Sequence, residues 1–459
     1  MKKKSNPIPD AIKPIWRALA FVQAGNGLAF GLYLFTFGPW FFDHFGGNAN
    51  AATAMMLTSI LLGVRQGGVA VLEAPTGAIA DAIGRVHAVT WSWCFRVFFF
   101  VGLASLSLCT SISIAFVCGV LASIAYSLSY TFYSGALSAW TVDSCKQIDP
   151  SFEYGILLSK GHSINLWGQF LGGILGMCFF LQGITHVAYI IGALLSFVVM
   201  AYCMQEMPET PGIAFLGLKG TFISALRRIG ERLAAAGVLL KKMPTLASLI
   251  FVYAAMLFLV NVVDYFWPLA VREELGISDR QYLWLGFLSV LCLTRIFGAR
   301  GMLTLLRRVK HLPILQQRIA LRRWLTGLCF ISSTAVVGLG WNNYNGHASF
   351  VAVMCVVLTV ALTYGFLVPC FETLLNHYIP AEYATSRATI LSFGSLARSA
   401  LLLILSVPAG GHSSSTTTRG WLVPASLVII SALIARFVLK RTERRAIVAD
   451  VLPTTETPT

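Results

Sequence analysis

Apolar runs long enough to cross a lipid bilayer recur along the whole chain and constrain its fold more than any other feature. A spanning helix needs about 20 mostly apolar residues. We predict twelve such spans, at residues 16–41, 53–79, 88–109, 112–141, 154–181, 185–205, 246–270, 280–304, 324–341, 347–372, 386–408 and 420–439. Because 56% of the residues are hydrophobic and 12% are charged, a soluble fold is excluded and an all-α polytopic membrane protein is predicted.

The spans fall into two sets of six with a polar stretch between them. Apolar residues in that stretch recur at helical spacing, which predicts an amphipathic helix along the membrane surface. The predicted units are an N-terminal six-helix bundle (1–206), a cytoplasmic linker (207–245), a C-terminal six-helix bundle (246–440) and a cytoplasmic tail (441–459).

A short internal match suggests that the two sets are a duplication. Leu158-Ser-Lys-Gly161 opens one span and Leu391-Ser-Phe-Gly394 opens another, 233 positions further on. In so biased a composition this match alone is weak, but it agrees with the count of six spans on each side. Repeated membrane halves imply pseudo-twofold symmetry, a site between the halves near the midplane and alternating exposure of that site.

The formal charge of +15 is better explained by membrane topology than by nucleic acid, because the Lys and Arg residues are spread between apolar runs. With the N-terminus inside, most basic flanking residues lie on the cytoplasmic side. We therefore predict that both termini are cytoplasmic.

Cysteine usage and motif content point away from metal sites and catalysis. The ten Cys residues lie mostly inside apolar runs and form no C-x-x-C pair, so we interpret them as small buried side chains. The chain contains no H-E-x-x-H, G-x-S-x-G or G-x-x-x-x-G-K-[ST] motif. We predict no enzyme activity, no cofactor, no metal and a single chain working as a monomer.

Pro, Gly and charge interrupt the apolar pattern in one stretch between the second and third spans. It reads Gly77-Ala-Ile-Ala-Asp81-Ala-Ile-Gly84-Arg85, where we expect a tight turn with close backbone approach at both glycines. This stretch resembles the G-x-x-x-D-x-x-G-R loop of the major facilitator superfamily (MFS). The segments from Tyr133 to Asp143 and from Arg387 to Ser392 also resemble bacterial members, so the resemblance covers nearly the whole chain.

The resemblance implies a bacterial inner-membrane carrier with the MFS fold of two six-helix bundles. It also implies that Asp81, Arg85 and Asp143 form a charge network that stabilises the outward-facing state. The alternative for the same residues is a solvated turn with an arginine placed by topology.

Charged residues inside the spans are the candidates for substrate contact, since each costs about 2.5–3.5 kcal/mol at a helix centre. Three cations and two acids qualify, and the cations suit an anionic group that Arg binds bidentately. The alternative is that they pair with one another for assembly alone. The residues are Arg65, Arg295, Arg398, Asp264 and Glu372.

Polar side chains on several spans extend this candidate site. The alternative role for each of these side chains is that of a hydrogen-bonded packing residue. The candidate proton carriers are His162, Asp264 and Glu372. The further candidates are Asn26, Tyr130, His162 and Asn165.

We therefore predict a secondary transporter, with proton-coupled export of a metabolite, chelate or drug that carries an anionic group as the first choice. A glycine-rich stretch from Gly168 to Gly176 resembles the antiporter motif of drug exporters, although its proline is absent. Two alternatives stay open: an uptake carrier for an anionic nutrient or metal chelate, and a membrane sensor that does not transport. The expected partners are a small-molecule substrate, the proton and the lipid bilayer.

Overall fold

A computed structural model describes residues 8–46, 50–149, 155–208, 238, 241–275, 281–309, 311–344, 350–378 and 422–451. The long elements within these ranges are α-helices. Their bounds are α1 Lys13–Leu34, α2 Phe37–His44, α3 Ala51–Ile83, α4 Arg85–Ser105, α5 Ile112–Ile148, α6 Gly155–Leu181, α7 Thr185–Glu206, α8 Pro244–Leu275, α9 Gln281–Val309, α10 Ile314–Tyr344, α11 Phe350–Tyr378 and α12 Leu422–Val451.

Nine helical stretches in the described part of the chain are long and apolar enough to cross a membrane. Helix α11 holds a shorter apolar stretch, Val351–Leu367, and the predicted span 324–341 lies within α10. The predicted span 386–408 and nearly all of the predicted linker helix lie outside the described residues.

The structure divides the predicted span 16–41 into two helices, α1 and α2. Pro39 has no backbone N–H to donate to the carbonyl of Phe35, so the helical hydrogen-bond ladder is interrupted here. At the break, the backbone N–H of Thr36 donates to the carbonyl of Tyr33 at 3.2 Å, and the Oγ1 of Thr36 donates to the carbonyl of Leu32 at 3.1 Å. Asp10–His44 still forms one candidate span, as predicted, but the span consists of two helices instead of one.

The described helices pack as two groups, one from each half of the chain. In the N-terminal half, α1 packs on α6 and α7, α3 on α5, and α4 on α5 and α7. In the C-terminal half, α8 packs on α11 and α12, α9 on α11, and α10 on α11 and α12. The halves contact each other where α6 meets α9 and where α2 meets α8.

Glycines bring α1 and α6 close together. A Cβ on Gly172 would lie 2.2 Å from the carbonyl oxygen of Leu28, and a Cβ on Gly27 would lie 2.1 Å from that of Asn165. Side chains at these positions would force the two backbones apart. The glycine-rich stretch on α6 thus allows the close helix packing that its sequence predicts.

One arginine–tyrosine contact occurs in both halves. The guanidinium of Arg65 on α3 lies 4.8 Å from the ring centre of Tyr126 on α5. The guanidinium of Arg295 on α9 lies 5.1 Å from the ring centre of Tyr364 on α11. The arginines are 230 positions apart and the tyrosines 238, so this pair of contacts supports the internal repeat.

The stretch expected to form a turn is mostly helical. Helix α3 continues to Ile83 and α4 begins at Arg85, so Gly77 and Asp81 lie within α3. Only Gly84 separates the helices, and its φ of 101° is a conformation that favours glycine. Among the described residues, no heavy atom lies within 4 Å of a Cβ placed on Gly77, so the close approach expected there stays a prediction.

Two other helices also run further than predicted. Helix α5 continues to Ile148 and includes Asp143, which was expected just beyond the span. Helix α12 continues to Val451, so residues 441–451 of the predicted tail are helical. Polar residues extend these helices beyond the apolar core, and hydropathy alone does not detect that extension.

A candidate binding cavity between the helix bundles

A cavity of about 440 Å³ lies between the two halves. Its lining comes from α1, α3, α4, α5 and α6 on one side and from α8, α9 and α11 on the other. Six of the candidates predicted from sequence line it, namely Asn26, Tyr130, His162, Asn165, Asp264 and Arg295.

Arg96 on α4 is a buried cation in the cavity wall, with 6% of its surface exposed. Its Nε donates to the Oγ of Ser129 at 3.1 Å, and its Nη1 donates to the Oδ1 of Asn26. The guanidinium also lies 4.6 Å from the ring centre of Trp93 and 5.5 Å from that of Tyr133. All four of these partners are electrically neutral.

Arg295 and Asp264 form a buried ion pair between α9 and α8. Both side chains line the cavity, so the ion pair lies where α8 and α9 meet the cavity wall. Burial makes each charge costly on its own, and the pairing offsets most of that cost. This ion pair is an example of the pairing between charged residues that we named as the alternative to substrate contact.

Arg65 lies behind the cavity wall and does not face the chamber. It is fully buried, with its guanidinium 4.4 Å from the ring centre of Phe37, and its neighbour Gln66 lines the cavity instead. Consecutive residues of a helix point about 100° apart, so these two side chains leave α3 in different directions. Arg65, a predicted candidate for substrate contact, is therefore not among the described residues that line the cavity.

A chain of amide contacts holds the α1 side of the cavity. The amide of Gln169 donates to the Oδ1 of Asn165 at 2.7 Å, and the amide of Asn165 donates to the carbonyl of Gln23 at 3.2 Å. The hydroxyl of Tyr133 donates to the Oε1 of Gln23 at 3.2 Å. These bonds fix polar groups at the wall where a ligand would meet them.

The remaining predicted residues lie elsewhere or beyond the described side chains. Asp143 is exposed on α5, and Arg85 is the first residue of α4. Glu372 belongs to α11 and Asp81 to α3, but their side chains are outside the described part, as is the whole of Arg398. The charge network of Asp81, Arg85 and Asp143 stays a prediction.

Sequence reasoning missed Arg96, although the signal was present. Arg96 interrupts the apolar run Trp93-Cys-Phe-Arg-Val-Phe-Phe-Phe100 inside the predicted span 88–109. It is the same signal, a lone arginine within a span, that identified Arg65 and Arg295. Tyr364 and Gln66 were also missed, although they are neutral polar residues within spans, like the predicted Asn26 and Asn165.

Two helical bundles with a polar chamber near their interface are the arrangement that many secondary transporters share. The sequence profile of the family described as Major Facilitator Superfamily matches residues 19–405. The chain belongs to this family, and the predicted all-α fold of two six-helix bundles is confirmed. It is accordingly a multi-pass membrane protein of a transporter family.

Solved structures with this fold include transporters of several kinds. A D-xylose-proton symporter has a TM-score of 0.69 and 14% identity, over 91% of this chain and 97% of that chain. The human organic anion transporter MFSD10 (TETRAN) has a TM-score of 0.60 and 18% identity, over 93% and 100%. The peptide transporter POT in complex with sulfate has a TM-score of 0.65 and 14% identity, over 96% and 97%. Comparison with curated protein sequences found no match.

Proposed function

We propose that this MFS member moves a small molecule with an anionic group across the bacterial inner membrane by alternating access. The first proposed mode is proton-coupled export, with both termini in the cytoplasm. Arg96 is the observation that carries the proposal, because it is a buried cation that lines the cavity and has four neutral partners.

The charge balance around the cavity favours an anion. Removing a charged side chain from water costs several kcal/mol even after relaxation. Asp264 is the one acid among the described residues that line the cavity, and it already pairs with Arg295, so none of these residues compensates the charge of Arg96. A carboxylate or phosphate in the chamber would accept hydrogen bonds from the guanidinium and offset that cost.

A second mode, proton-coupled uptake, is favoured by the ion pair itself. A proton that neutralises Asp264 breaks its pairing with Arg295 and leaves a second cation in the same cavity. Proton binding and anion binding would then assist each other, as symport requires. Export is favoured instead by the resemblance of the glycine-rich α6 to the antiporter motif.

Transport into proteoliposomes separates these modes. The purified protein is reconstituted and given a labelled monocarboxylate, dicarboxylate, phosphate monoester or neutral sugar under opposite pH gradients. Antiport drives accumulation of an anion when the interior is acidic, and symport does so when the interior is alkaline. Binding of an anion without flux under either gradient would contradict carriage and support the sensor alternative.

A further inference from the structure

A second cavity lies between α10 and α12, away from the central chamber. It has a volume of about 300 Å³, and neither α10 nor α12 contributes a residue to the chamber. It is lined mainly by Arg322, Arg323, Gly327 and Phe330 of α10 and by Arg436 and Lys440 of α12.

The spacing of these residues places four cations around one space. Arg436 and Lys440 are four residues apart and share one face of α12. Arg322 and Arg323 approach the same space from α10, and Gly327 leaves it open because no heavy atom of the described residues lies within 4 Å of a Cβ placed there. The described lining includes no acidic side chain. The pocket is therefore suited to an anion.

The side chains beside this pocket are typical of a protein surface that faces lipid. Phe437, beside Arg436 on α12, is 70% exposed, and Trp324, beside Arg323 on α10, is 51% exposed. Tryptophan is enriched where a protein crosses from hydrocarbon to headgroups, while arginine and lysine collect on one side of the membrane. The pocket thus combines cations with exposed apolar side chains that acyl chains would cover.

We propose that this pocket binds the phosphate of an anionic phospholipid. The guanidiniums of α10 and the two cations of α12 surround the phosphodiester, and its acyl chains lie along the exposed apolar faces of both helices. Arg pairs bidentately with phosphate oxygens, and basic pockets between membrane helices suit anionic headgroups. A lipid held in this way would link α10 to α12.

Native mass spectrometry of the full-length protein in neutral detergent tests the proposal. The protein is titrated with phosphatidylglycerol or with phosphatidylcholine of the same acyl chains. Each cation near a phosphate contributes roughly fivefold to affinity. We expect about a 25-fold loss of phosphatidylglycerol affinity in the double variant Arg436→Gln/Lys440→Gln, and a loss of binding in Gly327→Leu, which fills the pocket.

The matched control is Arg300→Gln/Arg308→Gln, which removes two exposed cations from α9. It should retain phosphatidylglycerol within about twofold of wild type, since neither residue lines the pocket. Equal lipid affinity in the α12 variant and the wild type, or equal losses in both double variants, would overturn the proposal. Displacement of the lipid by millimolar inorganic phosphate would assign the site to a free anion and also overturn it. Monodisperse elution of the α12 double variant and of Gly327→Leu in size-exclusion chromatography shows that both proteins are folded. Their lipid affinities can then be compared with that of wild type.

Discussion

The Nε of Arg96 donates a hydrogen bond of 3.1 Å to the Oγ of Ser129, which joins α4 to α5 at the wall of the central cavity. A second N–H of the same guanidinium is donated to Asn26 on α1. A guanidinium has five N–H donors, so these two bonds orient the group and still leave donors for a ligand. Three helices of the N-terminal half therefore hold one cation at the chamber.

The ion pair of Asp264 and Arg295 predicts a specific pattern of stability. Replacing Asp264 with Leu leaves a buried, uncompensated cation, so we expect a destabilisation of about 3–5 kcal/mol. Adding Arg295→Met removes that cation and should recover most of the loss. Thermal unfolding of these two variants and of wild type in detergent measures the effect.

The reciprocal single variant Arg295→Met completes the double-mutant cycle and should also be less stable than wild type. Additive losses in the double variant would show that the two charges do not interact, which contradicts the structure.

Close packing of α1 on α6 predicts intolerance of side chains at Gly172. A Cβ at this position would lie 2.2 Å from the carbonyl oxygen of Leu28, so Gly172→Val requires the backbones to separate. We expect a loss of roughly 1–3 kcal/mol or more, measured as a lower unfolding temperature.

Gly338 on α10 is the matched control, because in the part of the chain that the structure describes no heavy atom lies within 4 Å of a Cβ placed on it. The variant Gly338→Ala should be neutral or stabilise by up to about 1 kcal/mol, since alanine favours a helix more than glycine does. An unfolding temperature of Gly172→Val equal to wild type would refute the close contact.

The predicted charge network of Asp81, Arg85 and Asp143 is tested through conformation. If the network stabilises the outward-facing state, Asp81→Asn shifts the population inward and reduces labelling from outside. The reporter is a single cysteine at Phe30, a cavity residue near the predicted outer end of α1, in a variant that lacks the ten native cysteines. Glu206→Gln, an exposed acid at the end of α7, is the control. Unchanged labelling of the reporter cysteine in Asp81→Asn would contradict the charge network. It would favour the alternative, in which Asp81, Arg85 and Asp143 are solvated residues without a role in conformation.

The fold was predictable because bilayer thickness sets a length that apolar runs must match. The same reasoning placed helix ends less well, since polar residues continue α3 to Ile83 and α5 to Ile148 beyond the apolar core. The break between α1 and α2 had a sequence signal in Pro39, whose missing N–H interrupts the hydrogen-bond ladder.

Site prediction depended on how each helix is rotated about its axis. Hydropathy identifies an arginine within a span but does not say which way it faces, so Arg65 was expected in the chamber and lies behind its wall. Arg96 gives the same kind of signal and was overlooked, yet it lines the cavity. Only the packing of α3, α4 and α5 distinguishes the two.

Anion flux through the Arg96→Gln variant is the most direct test of the central claim. The initial rate of uptake into proteoliposomes is measured for the anion that wild type carries best and for a neutral sugar, with Arg308→Gln as the control for lost surface charge. Because a bond to a charged group contributes about 1.5–3 kcal/mol, we predict a 10- to 100-fold fall in anion transport efficiency for Arg96→Gln. Arg96→Lys should recover part of the transport, and Arg308→Gln should match wild type. Anion transport by Arg96→Gln at the wild-type rate, or a wild-type protein that carries the sugar and no anion, would contradict the account.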